Sequence, residues 1–168
     1  MTVRPFILAP YVPTPPEVVE CMVRIAGTTA SDLVYDLGCG DGRLAIAAAA
    51  TRGARSLGVD IEPYWVEQSR VNASLAGVSD LAHFEEGDAT YLDLRPATVV
   101  FLYLVHWSTQ RLADAVLRQC SSGTRVVSHT FPFEAFPSAR TEWLVDDSGQ
   151  RRAVHLWVTP GAPLASGQ

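Results

Sequence analysis

Three glycines at alternate positions, Gly38, Gly40 and Gly42, are bracketed by two carboxylates, Asp36 and Asp41, in the stretch VYDLGCGDGR at residues 34–43. Glycine lets a backbone take positive φ and lets a ligand come closer than a Cβ would permit, so the turn is built to receive something. Dinucleotide-binding turns space their glycines as GxGxxG and set a pyrophosphate on the helix N-terminus. Here the spacing is GxGxG. Asp36 and Asp41 would repel a pyrophosphate and suit a ligand whose head group carries an ammonium. S-adenosyl-L-methionine is such a ligand; the alternative is a glycine turn that only packs a helix closely on a sheet.

Two further stations follow in order. Asp60 closes the strand-like run RSLGV, the place where a carboxylate accepts hydrogen bonds from the hydroxyls of a cofactor ribose, with Ile61 offering an apolar face to an adenine. The competing reading of Asp60 is a solvated strand end or a cap before Pro63. Gly87, Asp88 and Ala89 end the run LAHFEE, placing Asp88 to accept from an adenine amine and the Ala89 backbone to donate to the ring; an ordinary acidic turn has the same composition. Thr98–Leu104, TVVFLYL, is an apolar strand of the kind buried on both faces of a parallel sheet. Its carboxyl end would face a transferred group, because ligands of open α/β sheets sit beyond the carboxyl ends of the strands.

These residues must be carried by alternating elements. Pro15–Ala26 reads as a short helix with Val18, Val19, Met22, Val23 and Ile25 on one face. Strands are expected near 32–36, 55–60, 81–86, 98–104 and 124–129, with helices near 43–52, 63–76 and 107–119. Arg140–Val145 and Ala153–Thr159 flank the turn signal Asp146-Asp147-Ser148-Gly149 and form a closing hairpin. The expectation is a single α/β domain over residues 1–160, a Rossmann-like seven-stranded, mostly parallel sheet with helices on both faces, followed by a disordered tail at 161–168.

Composition narrows the function classes. The chain has 168 residues and a net charge of -5, and no basic run gives it the footprint of a nucleic-acid partner. No apolar run approaches a membrane span and the proline-rich start is not a signal peptide, so a cytoplasmic location is expected. Cys21, Cys39 and Cys120 make no disulfide framework, and His83, His106, His129 and His155 are too scattered to suggest a metal. All 13 basic residues are arginine. Codon bias explains this; the sharper reading is that the chain offers no side-chain amine for its own chemistry to modify.

The motifs Asp36–Gly42, Asp60 and Gly87-Asp88 resemble those of class I S-adenosylmethionine-dependent methyltransferases. Pro10–Pro15, Val34–Arg43, Ala97–Val100 and Gly123–His129 are similar to a small prokaryotic family that includes archaeal protein lysine methyltransferases. The Phe131-Pro132-Phe133 run is shared with mitochondrial lysine methyltransferases of the ATP synthase c subunit and the adenine nucleotide translocase. The resemblance implies a methyl acceptor in line with the sulfonium and a site that positions and desolvates an amine. Tyr11 and Thr14 are expected to reach the cofactor carboxylate, with Cys39 in the turn. Tyr11, Tyr103, His106, Trp107 and Phe131 are the expected acceptor walls, holding an ammonium on aromatic faces; core packing is the competing reading for Tyr103 and Phe131. His106-Trp107 departs from the archaeal pattern and raises a second possibility, a histidine base serving a small-molecule acceptor. A non-catalytic cofactor-binding protein is the third.

Overall fold

The computed structural model describes residues 11–135 and 137–160. The expected tail at 161–168, and Pro10 with the residues before it, lie outside the described residues.

The first helix is set by its prolines. α1 (Pro16–Ile25) starts at a proline, whose missing N–H costs nothing in the first helical turn, and buries Val18, Val19, Met22, Val23 and Ile25. β1 (Leu33–Leu37), α2 (Arg43–Arg52), β2 (Arg55–Asp60), α3 (Pro63–Leu75) and β3 (Ala82–Glu86) follow. A one-turn 3₁₀ segment at Ala89–Tyr91 leads to β4 (Val99–Leu102), α4 (His106–Gln119), β5 (Arg125–His129), β6 (Arg140–Val145) and β7 (Arg151–Val158).

The sheet order is β3-β2-β1-β4-β5-β7-β6. β1 to β5 are parallel, and β7 returns antiparallel to β5 with β6 beyond it. The chain therefore winds outward one way from β1 and then, from β4, the other way. The switch lies between β1 and β4, where a crevice opens at the carboxyl ends.

Alternation along the central strands fills both faces. Val34, Val99, Phe101, Val127 and Val154 pack under α1 and α2. Tyr35, Leu37, Val100, Leu102, Val126 and Trp157 pack with Leu112, Ala113 and Val116 of α4. A third cluster joins Val66 and Ala73 of α3 to Phe84 and Ala45.

Most element boundaries shift by a residue or two, and three of the shifts have a visible cause. β4 ends at Leu102 instead of Leu104, releasing Tyr103 and Leu104 into the crevice where β1 and β5 no longer both pair with it. α4 begins at His106, one residue early, behind Val105 with no side-chain cap; the Thr109 hydroxyl donates back to the Leu104 and Val105 carbonyls. β7 begins at Arg151 because Asp146 accepts from the Ser148 and Gln150 N–H groups and from Arg152, tightening the hairpin turn.

Candidate active site

A cavity of about 290 Å³ occupies the switch point. Its walls come from the turn after β1, the ends of β2, β3 and β4, the first turn of α3 and the segment ahead of α1.

The turn is held from several sides. Gly38 and Cys39 donate backbone N–H bonds to the Val59 carbonyl at 2.8 and 3.0 Å, and Gly40 donates to Asp60 Oδ2 at 2.9 Å. From α3, the Ser69 hydroxyl donates to the Gly40 carbonyl at 2.7 Å and Asn72 Nδ2 to the Asp41 carbonyl at 2.9 Å. These bonds leave the turn's backbone little freedom. Gly40 sits at φ +53°, and a Cβ there would meet the Tyr11 ring at 2.7 Å. Gly42, at φ +81°, does not line the cavity: its missing Cβ makes room for Phe84 and Ser69, so this glycine serves helix packing, the role held open as the alternative for the whole turn.

Tyr11 lies over the turn. Its ring stacks on Trp65, centroids 3.7 Å apart and planes 27° apart, and its hydroxyl accepts from Arg43 at 3.3 Å. Arg43 also donates to the Thr14 carbonyl at 2.8 Å and chelates Asp41, at 2.6 Å to Oδ2 and 3.0 Å to Oδ1. Asp36 and Asp41, expected to suit a cation together, differ in their surroundings. Half-burial pushes Asp41 up, but the hydrogen bonds and charge of Arg43 outweigh it and hold the carboxyl below its usual range, so its charge is already matched.

Asp36 is the opposite case. It is fully buried, its Oδ2 has no partner among the described residues, and burial, then the nearby Asp60 and Asp41 charges, push its pKa up to about 7 against the Ala45 N–H that favours the anion. A buried carboxyl oxygen without a partner keeps its capacity to accept a hydrogen bond or meet a cation. Asp60 uses Oδ2 on Gly40 and Oδ1 on the Glu62 N–H at 3.0 Å, with lone pairs remaining on both oxygens. Asp88 Oδ1 accepts from the Thr90 N–H and hydroxyl, while its Oδ2 has no partner among the described residues. The cavity thus presents Asp36, Asp60, Glu62 and Asp88 against a single arginine already bound to Asp41.

Of the residues expected to hold a cofactor, Tyr11, Thr14, Asp36, Gly38, Cys39, Gly40, Asp41, Asp60, Ile61, Gly87, Asp88, Ala89 and Tyr103 line this one cavity, and Gly42 stands behind it. Of the expected acceptor walls only Tyr11 and Tyr103 line it. Phe131 and His106 meet edge to face at 6.3 Å outside the lining, and His106 Nε2 lies 3.0 Å from Glu134 Oε1. Trp107, 46% exposed, is the second residue of α4. The loop after β5 is latched to α4, Gln110 Nε2 donating to the Pro132 carbonyl at 2.7 Å and the Glu134 N–H to Gln110 Oε1 at 2.8 Å. Sequence reasoning missed Arg43, Tyr64, Trp65, Ser69 and Asn72; the one signal was polar Ser69 and Asn72 one turn apart on a helix.

Residues 36–140 match the ANTKMT methyltransferase domain. The chain belongs to this family. It is 35% identical over 150 residues to a protein-lysine N-methyltransferase of Saccharolobus islandicus (strain REY15A), covering 89% of this chain and 92% of that protein. It is 31% identical over 163 residues to the mouse (Mus musculus) lysine N-methyltransferase of the ATP synthase c subunit; that match covers 90% of this chain and 65% of the mouse protein. Among solved structures, an RNA methyltransferase from Salinibacter ruber in complex with S-adenosyl-L-homocysteine superposes with a TM-score of 0.83 at 42% identity, covering 92% of this chain and 98% of that one. The chain is a class I methyltransferase whose cofactor is S-adenosyl-L-methionine. The buried, unpaired Asp36 oxygen and the glycine turn over which a Cβ would intrude fit that cationic ligand. Among the described residues no helix is long and apolar enough to cross a membrane and no cluster could hold a metal ion.

Proposed function

We propose that this chain is a protein-lysine N-methyltransferase. The observation that carries the reading is its 35% identity to a protein-lysine N-methyltransferase across nearly the whole of both chains. The acidic cavity agrees with it, since an ammonium is attracted where an anionic acceptor would be repelled.

In this reading Asp60 accepts the ribose hydroxyls, Asp88 and Ala89 take the adenine edge beside Ile61, and Asp36 receives the ammonium of the cofactor's amino-acid part. Gly38, Cys39 and Gly40 supply close backbone approach, and Tyr11 with Trp65 covers the turn. When bound, the cofactor supplies a methyl group on a sulfonium, an electrophile needing no further activation. The work left to the protein is to orient an uncharged amine and strip its water. Tyr103, half-buried where β4 releases it, is the aromatic wall facing that amine. The amine's proton goes to water before attack, favoured by desolvation of the ammonium.

A second reading, an RNA acceptor, is favoured by the 42% identity to the Salinibacter ruber RNA methyltransferase. The net charge of -5 opposes it, because phosphate contacts need a basic face. The test is incubation of the protein with methyl-labelled cofactor and a whole-cell lysate, followed by separate protease and ribonuclease digestion. Label lost to protease and recovered as methylated lysine supports the proposal. Label lost to ribonuclease, or found only in small molecules, overturns it.

A further inference from the structure

Thr130, immediately after β5, is the one non-glycine residue at positive φ among the described residues, at +70°. Across it the Phe131 N–H donates to the His129 carbonyl at 2.9 Å. Residues 129–131 therefore form a γ-turn of the rare, strained hand, at a β-branched residue for which positive φ is a genuine outlier. The turn is pinned from both sides: the Thr130 N–H donates to the Ala153 carbonyl at 2.8 Å and the Ser128 hydroxyl to the Phe131 carbonyl at 2.6 Å. Strain persists only where its surroundings over-determine it, and it gathers at functional sites.

His129, which opens the turn, is a second unfavourable choice. It is fully buried, and neither ring nitrogen has a partner among the described residues. A phenyl ring, though larger, would orphan no polar atoms. Burial, chiefly, with the charges of Arg152 and His155 against that of Asp146, lowers its pKa to about 4, so the ring is neutral at physiological pH. It lies against Tyr103, centroids 4.1 Å apart and planes tilted 36°. The strained turn thus adjoins a buried ring that lies directly against a cavity-lining tyrosine.

We propose that His129 and Thr130 are positioning residues for methyl transfer, the strained turn seating the His129 ring so that it fixes the tilt of Tyr103 against the incoming acceptor. This rests on the reading of Tyr103 as the acceptor-side wall of a lysine methyltransferase. Neither residue lines the cavity. Their effect on the reaction must pass through Tyr103.

The test compares Thr130→Gly, His129→Ala and His129→Phe with the wild type in thermal unfolding, calorimetric affinity for S-adenosyl-L-homocysteine, and steady-state turnover on the lysate fraction that the wild type labels. Thr130→Gly, which accepts positive φ without strain, is expected to melt at or above the wild-type temperature, to bind the product within twofold of wild type, and to turn over at least tenfold more slowly. His129→Ala should lose turnover to a similar extent. His129→Phe, which keeps an aromatic face but not its tilt, should melt higher than wild type and recover part of the loss. Wild-type turnover in Thr130→Gly and His129→Ala overturns the proposal. So does a fall in product affinity that accounts for the lost turnover, since a merely structural turn would damage both together. Wild-type label in RNA instead of protein overturns the lysine reading, and the same comparison on that RNA still decides the role of His129 and Thr130.

Discussion

The Gly40 N–H donates to Asp60 Oδ2 at 2.9 Å, so the acid at the end of β2 braces the glycine turn at the end of β1. The other oxygen, Oδ1, holds the Glu62 N–H at 3.0 Å. One carboxylate thereby fixes the shape of the cavity and presents its remaining lone pairs to the space where a ribose would lie. Asp60→Ala removes a charged acceptor from two backbone donors and from the ribose hydroxyls. The expected result is a loss of about 1–3 kcal/mol in stability and at least a tenfold loss in product affinity. Denaturant unfolding and calorimetric titration measure the two effects, and unchanged affinity would remove Asp60 from the cofactor site.

The segment ahead of α1 is tied to the same turn. Tyr11 stacks on Trp65 at 3.7 Å, and Arg43 joins the Tyr11 hydroxyl, the Thr14 carbonyl and Asp41. Such a stack contributes roughly 0.5–1.5 kcal/mol beyond the area it buries. Tyr11→Ala should therefore weaken product binding by about tenfold, while Tyr11→Phe, which keeps the stack and loses one 3.3 Å bond, should stay within about threefold. A chain beginning at Glu17 that binds as tightly as the full chain would show that this segment is a surface strap.

Legibility in the sequence follows the range of the forces involved. Asp36, Gly38, Gly40, Asp60 and Asp88 are readable because ligand-facing turns at strand ends carry a local signature of small and acidic residues at fixed order. The strands are readable because burial on both faces leaves continuous apolar runs. Ser69 and Asn72 act on a turn about thirty residues away and Trp65 on Tyr11 still farther off, and beyond the spacing of the two polar residues on one helix nothing in their own neighbourhood reveals it. Asp41 reads as a free acid because Arg43, two residues on, carries no local sign beyond a helix start. Gly42 has the right type and spacing but answers to Phe84 and Ser69 behind it. The γ-turn at Thr130 is invisible, since local propensity argues against a β-branched residue there and only tertiary hydrogen bonds impose it.

Asp36 gives the site a pH dependence of definite sign. Unfolded, its carboxyl titrates near the ordinary value of 3.8; folded, burial and the neighbouring acids raise it to about 7. Between those values the folded chain keeps a proton that the unfolded chain has lost. The contribution of Asp36 is thus fully present below about pH 4 and is lost as pH rises through 7. Asp36→Asn removes that loss, so its melting temperature relative to wild type should climb between pH 5 and pH 8. Taking the difference between the two proteins cancels the opposite slope of His129, whose pKa falls from 6.5 to about 4 and whose contribution disappears as pH drops below its unfolded value. A cationic ligand favours the ionised carboxyl, so product binding to the wild type should tighten as pH rises toward 7 and release a proton near that pH. A flat affinity profile, or equal proton release by Asp36→Asn, would place the ammonium elsewhere.

His106 separates the enzyme readings at the rim. Its Nε2 lies 3.0 Å from Glu134 Oε1, both side chains are well exposed, and the two residues belong to the latch that Gln110 makes between α4 and the loop after β5. An exposed pair of this kind contributes at most about 1 kcal/mol, so His106→Asn should fold normally. His106 stands outside the cavity lining, and a lysine acceptor that gives its proton to water has no need of an imidazole. Turnover on a protein acceptor should then survive His106→Asn within a few fold. A small-molecule hydroxyl or amine that used His106 as its base would lose on the order of 10²-fold or more. Trp107→Ala makes the complementary test: the indole is exposed on the first turn of α4 and does not line the cavity, so the lysine reading assigns it to a protein acceptor and not to the cofactor. Its removal should cut turnover on a protein acceptor while product affinity stays nearly constant. A large loss in His106→Asn, with Trp107→Ala indifferent and no labelled protein band, would assign the site to a small molecule.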